Sequence, residues 1–303
     1  MSQENLFTKI QSNYIRFSKG QKKLADYILS NYEQAVFMTA VKLGKQVGVS
    51  ESTTVRFAVE LGYDGYPEFR QALEEMVLNR LNSVQRMEVA YSNIPEDQIL
   101  HRVLLSDIDK IKHTLETCSK EAFLTAVKSI LGAKRVYLVG IRSCAPLAAF
   151  LEFYLQQILD DVRLITTNNA SEIFEQMIRL DEDDVVIGIS FPRYSMRTLK
   201  AMEFANNRKA KIITITDSQH SPINLYSSCT LLAKSDMASI VDSLVAPLSV
   251  INALIVALCL ERKDKVMNTL SEMEKLWEEY QVYSRDDMDP LNEFRMKRSS
   301  QKQ

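Results

Sequence analysis

Residues 184–195 read Asp184-Val185-Val186-Ile187-Gly188-Ile189-Ser190-Phe191-Pro192-Arg193-Tyr194-Ser195. A short apolar run rich in β-branched residues gives way to serines and an arginine, and Arg197 and Thr198 then open a helical pattern. Runs of the same kind occur at Arg135-Val136-Tyr137-Leu138-Val139-Gly140, Val162-Arg163-Leu164-Ile165 and Lys211-Ile212-Ile213-Thr214-Ile215-Thr216-Asp217, with Cys229-Thr230-Leu231-Leu232 a candidate fifth. Helical segments separate most of them. Strand, helix, strand at this cadence predicts a parallel sheet covered by helices. In such sheets ligands bind at the carboxyl ends of the strands, at a switch point.

The polar strand ends carry the chemistry. Arg142 and Ser143 follow the first run; Ser190, Arg193, Ser195 and Thr198 follow the third; Thr216, Asp217 and Ser218 follow the fourth. Hydroxyls and backbone N–H groups at helix N-termini suit an anion, and two guanidinium groups add bidentate contacts to phosphate. The bland alternative is that Ser143, Ser190 and Ser195 are helix caps. Three at successive strand ends of one sheet favour a ligand crevice.

Upstream the pattern is helical. Ser18 precedes a run in which Leu24, Tyr27, Ile28 and Tyr32 keep helical spacing. A helix is predicted over Val41 to Val47, stopped by Gly48. Ser50 then caps a helix from Glu51 to about Leu61 that ends at Gly62. Val55 and Val59 are read as its inner face, and Lys45, Ser50, Ser52, Thr53, Thr54 and Arg56 as its DNA-contacting set. Helix, glycine turn and helix are the parts of a helix-turn-helix, whose second helix must reach base edges or phosphates without bulk. Residues 1–57 hold eight Lys/Arg against four Asp/Glu, a modest cationic patch. The competing reading is a helical cap or dimerisation module with solvated basic residues, in which Arg56 pairs with Glu60 four residues on. A further helix is expected from Glu68 to about Arg86, a linker over 87–97, helical periodicity again from Ile99, and a helix from Lys120 to Leu131.

Composition bounds the rest. The 303 residues are 25% charged and 46% apolar, as in soluble globular chains, which excludes wholesale disorder. A formal net charge of −2 excludes a bulk polycation. No GxGxxG fingerprint and no GxxxxGK[ST] loop is present, and Cys118, Cys144, Cys229 and Cys259 with His101, His113 and His220 lack zinc-site spacing. No cofactor and no metal are therefore expected. No signal peptide is visible. The apolar stretch Leu244–Leu260 fits a buried helix better than a membrane span. The chain is read as cytoplasmic, with reduced thiols and no membrane partner. For catalysis, Glu152, Glu172, Glu175 and His220 are the available acids and bases, and none forms a convincing pair. Cys144 lacks a paired base.

With both constellations in view, the chain resembles the RpiR family of bacterial transcription regulators, which join an N-terminal helix-turn-helix domain to a C-terminal sugar isomerase (SIS) domain. The residues that carry the resemblance are Val49-Ser50-Glu51-Ser52-Thr53-Thr54-Val55-Arg56-Phe57, Leu61-Gly62-Tyr63 and Gly65-Tyr66-Pro67-Glu68-Phe69. Further on, Ile189 to Ser195 and Asp242-Ser243-Leu244-Val245-Ala246-Pro247-Leu248 look like a subgroup. Thr54 stands where the family usually has an aliphatic residue. SIS domains generally show G-x-G-x-S in the first loop and S-x-S-G in the second; here Arg142 replaces the second glycine, and Phe191-Pro192-Arg193 replaces small residues. The resemblance implies a sugar phosphate effector, or a different phosphorylated or carboxylated metabolite read by the altered loops, contacted by Ser143, Ser190 and Ser195.

The expected fold is α/β overall: an all-α helix-turn-helix domain over 1–80, a helical linker over 81–119, an α/β parallel-sheet sandwich of SIS type over 120–262, and a helix and polar tail over 263–303. The expected function is a DNA-binding transcriptional regulator, no enzyme, whose affinity for a double-stranded operator is modulated by the effector. It is expected to act as a homodimer or homotetramer, with the Leu244–Leu260 helix a candidate for the interface. A sugar phosphate isomerase with an accessory helical domain is the alternative.

Overall fold

The computed structural model describes residues 6–36, 38–80, 96–167, 169–235 and 242–282. Two compact units emerge. One holds the described residues up to Leu104 with Asp242 and Ser243; the other holds Leu105–Ser235 and the described residues from Leu244 onward. The expected linker over 87–97 falls almost wholly outside the described residues, as does the expected helix end at Arg86.

The first unit consists of α1 (Leu6–Asn13), α2 (Lys19–Ser30), α3 (Tyr32–Ala35), α4 (Ala40–Val47), α5 (Glu51–Glu60) and α6 (Tyr66–Arg80). Its helix starts are written in the sequence. Ser18 forms a capping box: its Oγ accepts from Gln21 N–H at 3.4 Å, and its own N–H donates to Gln21 Oε1 at 2.8 Å. Gly48 ends α4 in the left-handed region at φ 73°, where a residue without Cβ carries no steric penalty. Ser50 caps α5 by accepting from Thr53 N–H at 3.3 Å. The turn folds tightly back on α4, with Val49 N–H donating to Gly44 O at 2.8 Å. A Cβ on Gly44 would lie 2.9 Å from Val49 O and 3.1 Å from Thr54 Oγ1. The tripod core includes Ile10, Leu24, Ile28, Leu43, Phe57, Leu61, Phe69 and Leu73, with the Phe57 ring centroid 5.0 Å from that of Phe17 and 5.7 Å from that of Phe69.

One expectation about α5 is overturned. Its inner face is Thr54, Phe57 and Ala58, followed by Leu61; of the two valines expected there, Val55 packs half-buried against this core, whereas Val59 is 52% exposed. The bulky Phe57 takes the core side, and at ~100° per residue Val59 then turns to solvent. Thr54 can occupy an aliphatic position because its hydroxyl donates to Ser50 O at 3.3 Å, which satisfies the buried polar group. Tyr32, counted with the first helical run, opens the separate α3 instead.

Beyond α7 (Ile99–Thr117), whose residues up to Leu104 belong to the first unit, and α8 (Lys120–Leu131), the second unit alternates β1 (Val136–Gly140), α9 (Ala145–Leu155), β2 (Val162–Ile165), α10 (Ala170–Gln176), β3 (Val185–Ile189), α11 (Met196–Asn207), β4 (Lys211–Thr216), β5 (Cys229–Leu232), α12 (Val245–Glu261) and α13 (Lys263–Glu279). All five expected strands form one sheet in the order β2-β1-β3-β4-β5, every pair parallel. β1 and β3 are buried along their whole length. Leu138, Ile187 and Ile213 pack on one side with α8, α9 and α12, while Tyr137, Val139, Val186 and Ile212 pack on the other with α10 and α11. Both faces are covered, as the apolar runs require. The Leu244–Leu260 stretch is the core helix α12, with Ile251, Leu254 and Leu258 fully buried. Among the described residues no single helix is long and apolar enough to cross a membrane.

An ion cluster locks the end of the sheet where β1 and β3 begin. Arg135 Nε donates to Asp184 Oδ1 at 2.8 Å, and its Nη2 donates to Asp184 Oδ2 at 2.8 Å and to Asp181 Oδ2 at 2.7 Å. Asp184 is fully buried, and its hydrogen bond pushes the guanidinium pKa above its already high value. Removing one partner of a buried pair leaves an uncompensated charge. Asp184→Ala is therefore expected to destabilise the second unit by about 3 kcal/mol in urea denaturation; a loss below about 1 kcal/mol would show that the fork adds little.

Candidate functional site

Each unit carries one candidate site. On the first, the outer side of α5 carries the expected hydroxyls. Ser50 and Ser52 are exposed and Thr53 is half-buried. Ser50 Oγ lies 3.0 Å from Ser52 Oγ and 2.9 Å from Thr53 Oγ1, so three hydroxyls cluster at the positive end of the helix dipole, where a phosphate is favoured. Arg56 is exposed, its Nε donating to Ser52 O at 3.3 Å. Lys45 is exposed on α4. Thr54 is a correction: fully buried between α5 and Gly44, it holds the turn and has no surface to offer a base. Glu60, the alternative partner of Arg56, instead accepts from Gln21 Nε2 at 2.7 Å.

Gln21 is the residue that sequence reasoning missed. One amide serves both the cap of α2 and the last turn of α5. Its only signal in the sequence was its place three residues after Ser18. A cleft of about 540 Å³ runs beside it, lined by Ser18, Gln21, Thr53, Arg56, Val59 and Glu60.

On the second unit, the strand order reverses at β1: the chain steps to β2 on one side and returns to β3 on the other. The loops after β1 and β3 therefore leave the sheet at its switch point, from the paired ends Gly140 and Ile189. Arg142 and Ser143 are exposed on the first loop and Arg193 on the second, with Ser195 half-buried as the N-cap of α11, accepting from Thr198 N–H at 3.4 Å. Ser190 and Thr198 are buried. Ser190 Oγ accepts from Ser195 N–H at 3.3 Å and so braces the loop. Thr198 Oγ1 finds no hydrogen-bond partner among the described residues. The Tyr194 hydroxyl donates to Asp217 Oδ1 at 2.9 Å, tying the β3 loop to the end of β4; no sequence pattern pointed to this clasp. A Cβ on Gly140 would meet Cys144 O at 2.6 Å and Ala148 Cβ at 2.9 Å, so the first helix turn sits directly on the strand end.

The candidate acids and bases sit on three segments: Glu152 on α9, Glu172 and Glu175 both exposed on α10, and His220 after β4. Glu172 accepts from the Asn169 side-chain amide at 3.1 Å and from the Thr167 hydroxyl. Glu152 accepts from the Gln156 amide one turn along α9. His220 is exposed in the loop after β4, and Cys144 is buried.

Residues 4–80 match the helix-turn-helix domain of the rpiR family, and residues 129–257 match the SIS domain. The chain belongs to the RpiR family. The HTH-type transcriptional regulator HexR of Escherichia coli is 25% identical over 306 residues, covering 95% of this chain and 98% of that one. Among solved structures, the sugar isomerase domain of an RpiR transcription factor from Sphaerobacter thermophilus is 26% identical with a TM-score of 0.57, covering 59% of this chain and 99% of that one. The Vibrio vulnificus NanR protein complexed with ManNAc-6P is 20% identical with a TM-score of 0.55, covering 93% of this chain and 100% of that one.

Against the family pattern, the two arginines in the loops stand out in their backbone. Arg142 has φ 59° and Arg193 φ 51°, left-handed values that glycine adopts without cost and other residues do not. Arg142 stands at the SIS glycine noted in the sequence, so the chain keeps the backbone that glycine favours while adding a cation. Such outliers cluster at functional sites. Arg142→Gly and Arg193→Gly are each expected to stabilise the second unit by about 0.5–1 kcal/mol, the left-handed penalty less the entropy of glycine, measured by thermal unfolding. A destabilisation of either variant would show that the guanidinium holds the fold together.

Proposed function

We propose that the protein is a DNA-binding transcriptional regulator, no enzyme, whose operator affinity is set by a phosphorylated sugar-like or otherwise anionic effector bound where β1 and β3 end. The observation that carries the DNA half is the outer side of α5, where hydroxyls and the Arg56 guanidinium sit opposite a packed core. Ser52 and Arg56 address base edges; Lys45, Ser50 and Thr53 address phosphates. The effector half rests on Arg142, Ser143, Arg193 and Ser195 at the switch point, with Ser190 and Thr198 beneath them. NanR holds a phosphorylated sugar, and the chemistry of these loops supports the same broad class. The placing of Glu152, Glu172, Glu175 and His220 on three separate segments speaks for sensing over isomerisation, which needs an acid and a base at one carbonyl.

The working form is a homodimer or homotetramer in the cytoplasm. Exposed Val256 and Leu260 on the outer side of α12 support a subunit contact there. Two recognition helices then address half-sites one helical turn (~34 Å) apart. The effector shifts operator affinity only through unequal binding to the two DNA-binding states.

A salt-titrated binding assay on DNA flanking the gene, with and without a panel of sugar phosphates, tests both halves. Arg56→Ala is expected to weaken selective binding by about ten-fold or more with an unchanged oligomer by light scattering. Full affinity in that variant would return the domain to a dimerisation role. Ser143→Ala with Ser195→Ala is expected to keep operator affinity and lose the response to the active panel member. Turnover of an aldose or ketose phosphate far above background would replace the sensor by an isomerase.

A further inference from the structure

Resting on the DNA-binding reading, we infer that Val59 is a base-reading residue that contacts the C5-methyl group of a thymine beside the guanine addressed by Arg56. Helix geometry places it there. With Ser52 at zero on a wheel of ~100° per residue, Arg56 falls at ~40° and Val59 at ~−20°. The buried set of Thr54, Phe57, Ala58 and Leu61 is centred at ~190° on the same wheel. Ser52, Arg56 and Val59 therefore form one stripe diametrically opposite the packing face, and only that stripe can enter a groove while the core stays closed. From Ser52 to Val59 it covers ~10 Å along the axis, a rise of 1.5 Å per residue. That length matches about three base pairs at 3.4 Å each.

Single exposed valines are ordinary on protein surfaces. This one lies in the same cleft as Arg56 and Thr53, and it is 52% exposed on a helix whose other stripe residues are polar. The major groove presents one apolar group, the thymine methyl, and small apolar side chains read it by contact. Glu60, which would repel the backbone, sits off the stripe at ~80° and is held by Gln21 at 2.7 Å. Glu60 is exposed, but its carboxylate is engaged by α2, while the valine and the guanidinium lie on the stripe itself.

The test uses the full chain and an operator obtained by selection from a randomised duplex library. Each thymine in the selected duplex is replaced singly by uracil, which deletes the methyl group and leaves the hydrogen-bonding edge intact. One thymine, within three base pairs of the guanine whose replacement Arg56→Ala no longer senses, is expected to cost about four-fold in affinity as uracil, the effect of burying one methyl-sized group. Val59→Ala, with an unchanged melting temperature, is expected to bind the thymine and uracil duplexes equally. Methyl sensitivity that survives in Val59→Ala, or an enriched operator with no sensitive thymine, overturns the assignment while leaving the regulator reading intact. Selection that enriches no sequence overturns the DNA-binding reading and this inference with it.

Discussion

Parallel pairing of β1 with β3 governs the second unit. Parallel neighbours cannot be joined by a hairpin, so each connection must cross a face of the sheet and return. Every strand then ends on the same edge, and every loop that follows a strand opens there. The opposite edge has no such freedom: Arg135 bonds to Asp184 and Asp181 and fixes where β1 and β3 begin. Stability is concentrated at one end and loop chemistry at the other. Gly140 extends the constraint into the site, because its bare Cα lets Cys144 and Ala148 approach within the space a methyl would fill. Arg142 lies in the short turn between a buried strand end and a helix that starts almost at once, and it takes a left-handed backbone there.

The helical unit solves a related problem on a smaller scale. A ten-residue helix has to be held firmly from one side while its other side remains available. Thr54 and Gly44 provide the close contact near its start, the Phe17, Phe57 and Phe69 rings the bulk, and Gln21 the polar tie at its end. None of these contacts uses the outer stripe. That separation explains why Thr54, a hydroxyl in the middle of a recognition helix, belongs to the packing: its polarity is spent on the carbonyl of Ser50 within its own turn.

Much of this architecture was legible in the residues. Buried parallel strands announce themselves as short β-branched runs, and all five fall where those runs lie, including the weakest, Cys229–Leu232. Ser18, Gly48 and Ser50 mark helix ends because caps are local chemistry. What escaped reading depends on contacts distant in sequence. Val55 and Val59 share a four-residue spacing, yet only Val55 packs against the core; Phe57 sets the buried side, and Val59 falls beyond it. Gln21 with Glu60 and Tyr194 with Asp217 are 39 and 23 positions apart, beyond any window of helical or strand period. Thr198 and Ser190 carry the right functional groups, but their burial could be known only once α11 was packed on the sheet.

The two left-handed arginines also bear on how an effector could be felt at all. A non-glycine residue in that region costs on the order of 1–3 kcal/mol, and the free energy that couples two sites in a regulator is typically ~1–3 kcal/mol. The quantities are of the same size. A ligand that binds the guanidinium groups only in the strained backbone holds the strained state, and its absence favours relaxation of the loops. Tyr194, next to Arg193 and bonded to Asp217, ties one of those loops to the end of β4. Operator affinity then depends on the effector to the extent that the two loop states bind it unequally, which is the only thermodynamic route open to a sensor of this design.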